Sequence, residues 1–273
     1  VTVEGRQQDD EVCDGSLCGT VLCGTFKSFN PRITADYKIN ENTMLYLTYA
    51  EGTNPGQFNT GLVGRTAAEL SQIYALISAD VEIGEEELEN LEVGIKTEIM
   101  GGRGQLSLAA YTGDWTNIPI AQIACIINVA AVAECIQANG SGGVADISGM
   151  ELEATARLSE NLTLDFTYAL NKTKVLEYCN GEMSSLLGVA GGCITGMGHS
   201  FSRSPEKSGT IALSYQKELN ADYVLFLRGD LFFRSSHYMS AANITETGSA
   251  RVANLRVGVQ SDKNRFEVYG TNI

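Results

Sequence analysis

The chain has 273 residues, a formal net charge of −14, seven cysteines and two histidines. That acidic balance argues against nucleic acid as a partner, which selects a basic face. No apolar run reaches the roughly 18 residues of a spanning helix, and the length suits a single domain.

In chain order, residues 1–31 precede the first strand and read as a loop segment. From there about ten segments alternate apolar and polar residues one by one, the period of a β-strand. The first four are Arg32–Ile39, Met44–Gly52, Asn90–Met100 and Gly104–Trp115. Four more are Ile147–Leu158, Leu162–Thr173, Lys207–Glu218 and Tyr223–Ser235, and the last two are Arg251–Asp262 and Arg265–Asn272. In Ile147–Leu158, Met150, Leu152, Ala154, Ala156 and Leu158 share one face, and Glu151, Glu153, Thr155 and Arg157 the other.

Pairs of strands are joined by Asn40-Glu41-Asn42-Thr43, Gly101-Gly102-Arg103, Ser159-Glu160-Asn161, Leu219-Asn220-Ala221-Asp222 and Lys263-Asn264. These residue types supply the turn conformations that hairpins need. The intervening connections are much longer: Thr53–Glu89, Thr116–Asp146, Lys174–Glu206 and Ser236–Ala250. Structureless loops of that length are uncommon in compact domains. Their recurrence at every second connection puts them on one end of one architecture. Several strands reach about 9–11 residues, the length that crosses a bilayer when tilted. The expected fold is therefore all-β, an antiparallel transmembrane β-barrel. The apolar set Leu91, Val93, Ile95, Leu152, Ala154, Leu164, Phe166, Leu255 and Val257 is expected to face outward. Glu92, Lys96, Glu151, Glu153, Asp165, Asn254 and Arg256 are expected to face inward. A soluble sheet packed on a dry core is the competing reading.

Within the long connections, Ile118–Ala138 reads as a helical insert, interrupted by Gln122, Asn128, Glu134 and Gln137. Cys13, Cys18 and Cys23 precede the first strand, and their pairing is open. Cys125 and Cys135 share one loop, Cys179 and Cys193 another, which suggests local disulfides on an oxidising surface. Free thiols are the alternative. The 13/18/23 spacing is not C-x-x-C and has no nearby histidine, so no metal site is expected.

No G-x-S-x-G elbow, P-loop or H-E-x-x-H occurs. No catalytic residue is assigned, an enzyme is not expected, and no cofactor is implied. The pair Glu151/Glu153 suits a wet wall better than an acid–base site.

Five stretches carry a family resemblance. Ile33–Phe58, ITADYKINENTMLYLTYAEGTNPGQF, resembles the strand–turn–strand of TonB-dependent outer-membrane receptors. Glu87–Asp114 is similar to that family's E-x-x-x-x-E-x-G-x-K strand and following hairpin, and Ala145–Ala156, ADISGMELEATA, to its G-x-E-x-E strand. Asn254–Gly258 and Tyr269–Ile273 resemble its penultimate hairpin.

The resemblance implies a barrel of about 22 strands around a plug. Residues 32–273 would supply its C-terminal part without the final strand, and residues 1–31 an extracellular loop. Val1-Thr2-Val3-Glu4 has no secretory signal, and about ten strands would leave two open edges that lipid does not tolerate. The chain therefore reads as part of a longer protein. The family implies uptake at the bacterial outer membrane of a scarce ligand such as an iron–siderophore chelate, with outer-membrane lipid around the wall. Energy would come from the TonB complex through a plug segment absent from this chain. A passive porin or translocator barrel is the alternative. Ligand contacts are expected from the long loops. Asn54, Gln57 and Phe58 sit where a strand opens into its loop, and Tyr178 and His199 carry rings that suit a planar chelate.

Overall fold

The computed structural model describes residues 1–15, 21–77, 79–177, 183 and 195–273. One antiparallel sheet of 11 strands dominates it, each strand beside its neighbour in sequence. In sheet order the strands begin with β1 (Thr2–Gly15), β2 (Val21–Asn40) and β3 (Thr43–Asn54). The two-residue strands β4 (Gln57–Phe58) and β5 (Glu82–Ile83) pair outside the sheet. The sheet resumes with β6 (Glu86–Ile99), β7 (Gly104–Ile127), β8 (Ala133–Arg157) and β9 (Leu162–Glu177). It continues with β10 (Lys207–Glu218) and β11 (Val224–Arg234). A small side hairpin, β12 (His237–Tyr238) with β13 (Glu246–Thr247), precedes β14 (Ala250–Gln260) and β15 (Arg265–Thr271).

All ten strands read from the alternation are present. So are the short turns, which fall together on one end because every pairing is antiparallel and sequential. The segment 1–31, read as a loop, is instead mostly a hairpin: β1 pairs with β2 from Thr2↔Thr34 to Gly15↔Val21. Its residues are polar on both faces (Gln7, Gln8, Asp9, Asp10), so alternation could not reveal it.

Register carries each face across the whole sheet. Leu47↔Val93, Ile95↔Leu108 and Leu108↔Leu152 run along one side, and Ala154↔Phe166, Phe166↔Ile211 and Leu231↔Ala253 continue it. This apolar face is open: Val93 is 53% and Leu213 45% exposed. The dry-core reading is thereby corrected, because no second sheet covers this face among the described residues. The other face carries Thr48, Glu92, Tyr111, Glu151, Asp165 and Arg228.

Aromatic rings lie over cross-strand glycines: Tyr46 over Gly94, Tyr111 over Gly149 and Phe226 over Gly258. A ring over a glycine restores packing where the strand lacks a side chain.

The buried core sits at the long-connection end. Thr116–Asp146, read as a loop with a helical insert, is largely strand: β7 and β8 run on far beyond their neighbours as a two-stranded hairpin. Along it Gln122, Ala124 and Ile126 are buried, while Ile123, Cys125 and Ile127 are exposed. Both faces carry apolar residues, so the sequence alternation was blank there.

The helix is in the preceding connection. Helix α1 (Ala67–Leu76) starts on a capping box, with Thr66 accepting from the Glu69 amide and the Glu69 carboxylate accepting from the Thr66 amide. A short 3-10 turn, Thr60–Leu62, precedes it. Leu62, Ile73, Ile77 and Ala79 pack on Ala124, Ile126, Ile136 and Ala138 of the hairpin.

Two slips in the β7–β8 ladder decide which face this cap covers. Pairing passes from Trp115↔Ala145 to Ile118↔Gly143 and then to Ile120↔Gly140. Each slip adds one residue to one strand and shifts its phase. The polar face therefore continues from Trp115 through Ile118 to Gln122, Ala124 and Ile126. The cap packs on that side.

The cysteines read as lying outside strands are corrected too. Cys13 pairs with Cys23 across β1–β2, and Cys125 with Cys135 across β7–β8, both as disulfides with Cα–Cα separations of 4.2 and 4.0 Å. Both lie at the end opposite the short turns. Cys18, Cys179 and Cys193 lie outside the described residues.

Candidate functional site

The polar face is bonded laterally from strand to strand. Tyr46 donates to Glu92 at 2.7 Å, and the Lys96 ammonium lies 5.4 Å from the Tyr46 ring centroid. Arg228 donates to Asp230 at 2.9 Å, to Ser214 at 2.8 Å and to Asp165 at 3.4 Å, while Thr155 donates to Asp165 at 3.0 Å. A recess of about 440 Å³ opens among Arg32, Asp36, Tyr46, Asn90 and Glu92. Such a face suits water and polar partners, since Glu92, Asp165, Arg228 and Asp230 each meet a donor or a group of opposite sign.

Near the long-connection end the same face becomes aromatic. The Phe201 ring meets Trp115 edge-on, with centroids 5.4 Å apart. Below them Tyr111 donates to Asn171 at 3.3 Å, and Asn171 donates to Ser204 at 3.2 Å. Thr173 accepts from the Phe201 amide at 2.9 Å, which seats the 195–206 segment over β9. That segment is also tied to the β11–β14 connection: the Ser200 amide donates to Asn243 at 2.8 Å, and Asn243 donates back at 2.9 Å. The result is a shelf of two rings and three hydrogen-bonding side chains at the mouth of the polar face.

The residues singled out from sequence do not converge on one pocket. Asn54 ends β3 and donates to Glu86 across the last β3–β6 pair. Gln57 and Phe58 form β4, and the Phe58 ring lies 6.4 Å from Phe26 on β2. His199 places Nδ1 3.0 Å from the Ala241 carbonyl oxygen, so that nitrogen bears the hydrogen, and its own carbonyl accepts from Val175 at 2.8 Å. Tyr178 lies outside the described residues.

The functional reading from sequence missed the shelf. Trp115 is the sole tryptophan and ends the strand read from the sequence as Gly104–Trp115, which was a usable signal. Phe201, Asn171 and Ser204 had none, because their meeting depends on a loop folding back. Helix α1 did have one: Thr66-Ala67-Ala68-Glu69 fits the capping-box pattern. Glu11, Cys13 and Cys23 cluster, but both sulfurs are spent in a disulfide and offer no thiolate to a metal.

The family model for TonB dependent receptor-like β-barrels matches residues 9–273. Among curated protein sequences none matches the chain. Solved structures are similar in fold. The ferric yersiniabactin uptake receptor of Yersinia pestis superposes with a TM-score of 0.64 at 16% identity, covering 94% of this chain and 34% of that one. The siderophore receptor PiuA of Acinetobacter baumannii gives 0.65 at 15% identity, covering 93% and 33%. The ferripyoverdine receptor of Pseudomonas aeruginosa gives 0.62 at 18% identity, covering 99% and 32%. The chain thus spans about a third of the length of the structures it matches.

Proposed function

This chain belongs to the TonB-dependent receptor β-barrel family, and from that premise we propose that it forms the C-terminal part of an outer-membrane receptor that takes up a scarce ligand. An iron–siderophore chelate is the proposed ligand class. In this reading residues 32–273 form wall and loops, and the hairpin of residues 1–31 stands at the extracellular end. The open apolar face meets outer-membrane lipid and the polar face lines the lumen. Energy reaches the ligand from the TonB complex through a plug segment.

The observation that carries the reading is the shelf of Trp115, Phe201, Tyr111, Asn171 and Ser204 at the mouth of a polar wall. Rings and neutral hydrogen-bonding groups suit a planar, oxygen-rich chelate. Asn54, Gln57, Phe58, Tyr178 and His199, from the same long connections, are proposed as further ligand contacts. The names of the similar structures support the ligand class: they are receptors for ferric siderophores.

The test is uptake of ferric chelates by iron-limited cells that carry the full-length protein. Uptake should stop without a working TonB complex. Trp115→Ala with Phe201→Ala should weaken ligand binding by about tenfold or more. Entry of small solutes that persists without TonB would overturn this reading in favour of a passive porin or translocator barrel.

A further inference from the structure

We propose that the 55–85 connection and the outer part of the β7–β8 hairpin form one rigid lid over the mouth, which swings on the double slip in the β7–β8 ladder. The placement over a lumen rests on the receptor reading above; the rigidity and the hinge do not.

Rigidity follows from how the two segments share bonds. Gln72 on α1 treats the end of β7 as a strand would: its amide donates to the Ile127 carbonyl at 3.1 Å and its carbonyl accepts from the Ile127 amide at 3.0 Å. Asn59 does the same on β8, accepting from the Asn139 amide at 2.9 Å and donating to the Asn139 carbonyl at 2.8 Å. Arg65 grips Glu134 through both guanidinium ends, and Glu69 accepts from the Val129 amide at 3.2 Å. These bonds surround the apolar cluster centred on Ile73, which is fully buried. Neither segment buries its apolar side alone. Ile73 needs the hairpin, and Ala124 and Ile136 need the helix. Two segments that bury each other's apolar surface open together.

The hinge follows from where the ladder lapses. Between Trp115↔Ala145 and Ile120↔Gly140 the two slips leave residues on both strands without a cross-strand partner in this hairpin. Pro119 lies in the same stretch and has no amide hydrogen to give. Asn117 (φ 54°) and Gly142 (φ 83°) hold left-handed conformations there. Below the slips the wall is a continuous ladder shared with β6 and β9, and above them the hairpin is flanked by neither. Within the hairpin, bending therefore costs fewest hydrogen bonds at this level. The slips also put the buried side of the lid on the same face as Trp115. A swing there opens or covers the shelf.

The experiment measures distances in the full protein reconstituted in lipid, by electron double resonance between nitroxide-bearing unnatural residues. Labels go on Tyr74 of α1, on Val129 at the hairpin tip, and on Leu213 in the wall, all exposed. The Tyr74–Val129 distribution should be one narrow peak. The Tyr74–Leu213 and Val129–Leu213 distributions should be broader or multi-peaked. In Ile73→Ala with Arg65→Ala, the Tyr74–Val129 peak should broaden while the wall still folds. An intra-lid distribution as broad as the lid-to-wall ones would overturn the rigid body, and lid-to-wall distributions as narrow as the intra-lid one would overturn the hinge. No ligand or transport enters the measurement, so its failure is distinct from failure of the receptor reading.

Discussion

The guanidinium of Arg65 meets both carboxylate oxygens of Glu134, at 3.0 and 2.8 Å, across a sequence separation of 69 residues. The pair joins two connections that the strand order keeps apart, and it makes the lid sensitive to acid. Arg65, and then Asn128, hold the Glu134 carboxyl below the ordinary glutamate range. The Thr66 amide and hydroxyl, then the Val129 amide, hold Glu69 below it as well. A carboxyl depressed in the folded state stabilises above its unfolded value, and that stability is lost as pH falls through the folded value. The lid should therefore keep full hydrogen-exchange protection at neutral pH and lose it as pH drops below the ordinary glutamate range. Glu134→Gln with Glu69→Gln should flatten that acid dependence. An identical acid profile in the double variant would rule out these two groups as its source.

Ile73→Ala should destabilise the lid by about 2–5 kcal/mol, the usual cost of truncating a buried aliphatic side chain. Ile73 is 0% exposed and sits at the centre of the cluster. Exchange in α1 and in the outer β7–β8 hairpin should speed up together, with β9–β11 unchanged. Acceleration in α1 alone would show that the hairpin stands by itself.

Cys125→Ser with Cys135→Ser should loosen the hairpin tip. The disulfide closes a loop with a sequence separation of 10. Closure of a loop that short is worth about 2–3 kcal/mol in the chain-entropy account. The effect should show as faster proteolysis near residues 128–132 without loss of wall strands. Thiol labelling of Cys125 or Cys135 in the untreated protein would contradict the bond itself.

Gly149→Val should disturb the mouth from below. A Cβ at Gly149 would run into the Tyr111 ring and the Leu170 carbonyl. Tyr111 must then leave its place against Asn171. Overpacking of this kind costs about 1–3 kcal/mol. Refolding midpoints in denaturant should fall, and ligand affinity with them; an unchanged midpoint would mean that the wall yields at no cost.

The wall was legible in the sequence because its causes are local. Side chains of a strand alternate by geometry, so Leu91, Val93 and Ile95 against Glu92 and Lys96 already define two faces. Asn40-Glu41-Asn42-Thr43 and Gly101-Gly102-Arg103 supply turn conformations from their own backbones, with Met100, Gly101 and Gly102 all at positive φ. Order along the chain then fixed order in the sheet, since short turns allow only neighbours to pair.

The lid and the shelf were decided only by the tertiary structure. Ile123 and Ala124 look alike in sequence, yet one is exposed and the other buried, because a helix from an earlier connection covers one side of the hairpin. The partner of Cys13 was open until the β1–β2 register set it opposite Cys23. Trp115 acquires a site only when Phe201 folds back onto it. Each of these depends on contacts between segments far apart in sequence. Period, turn chemistry and spacing describe a segment against its own neighbours, and contain no term for what a distant segment will bury.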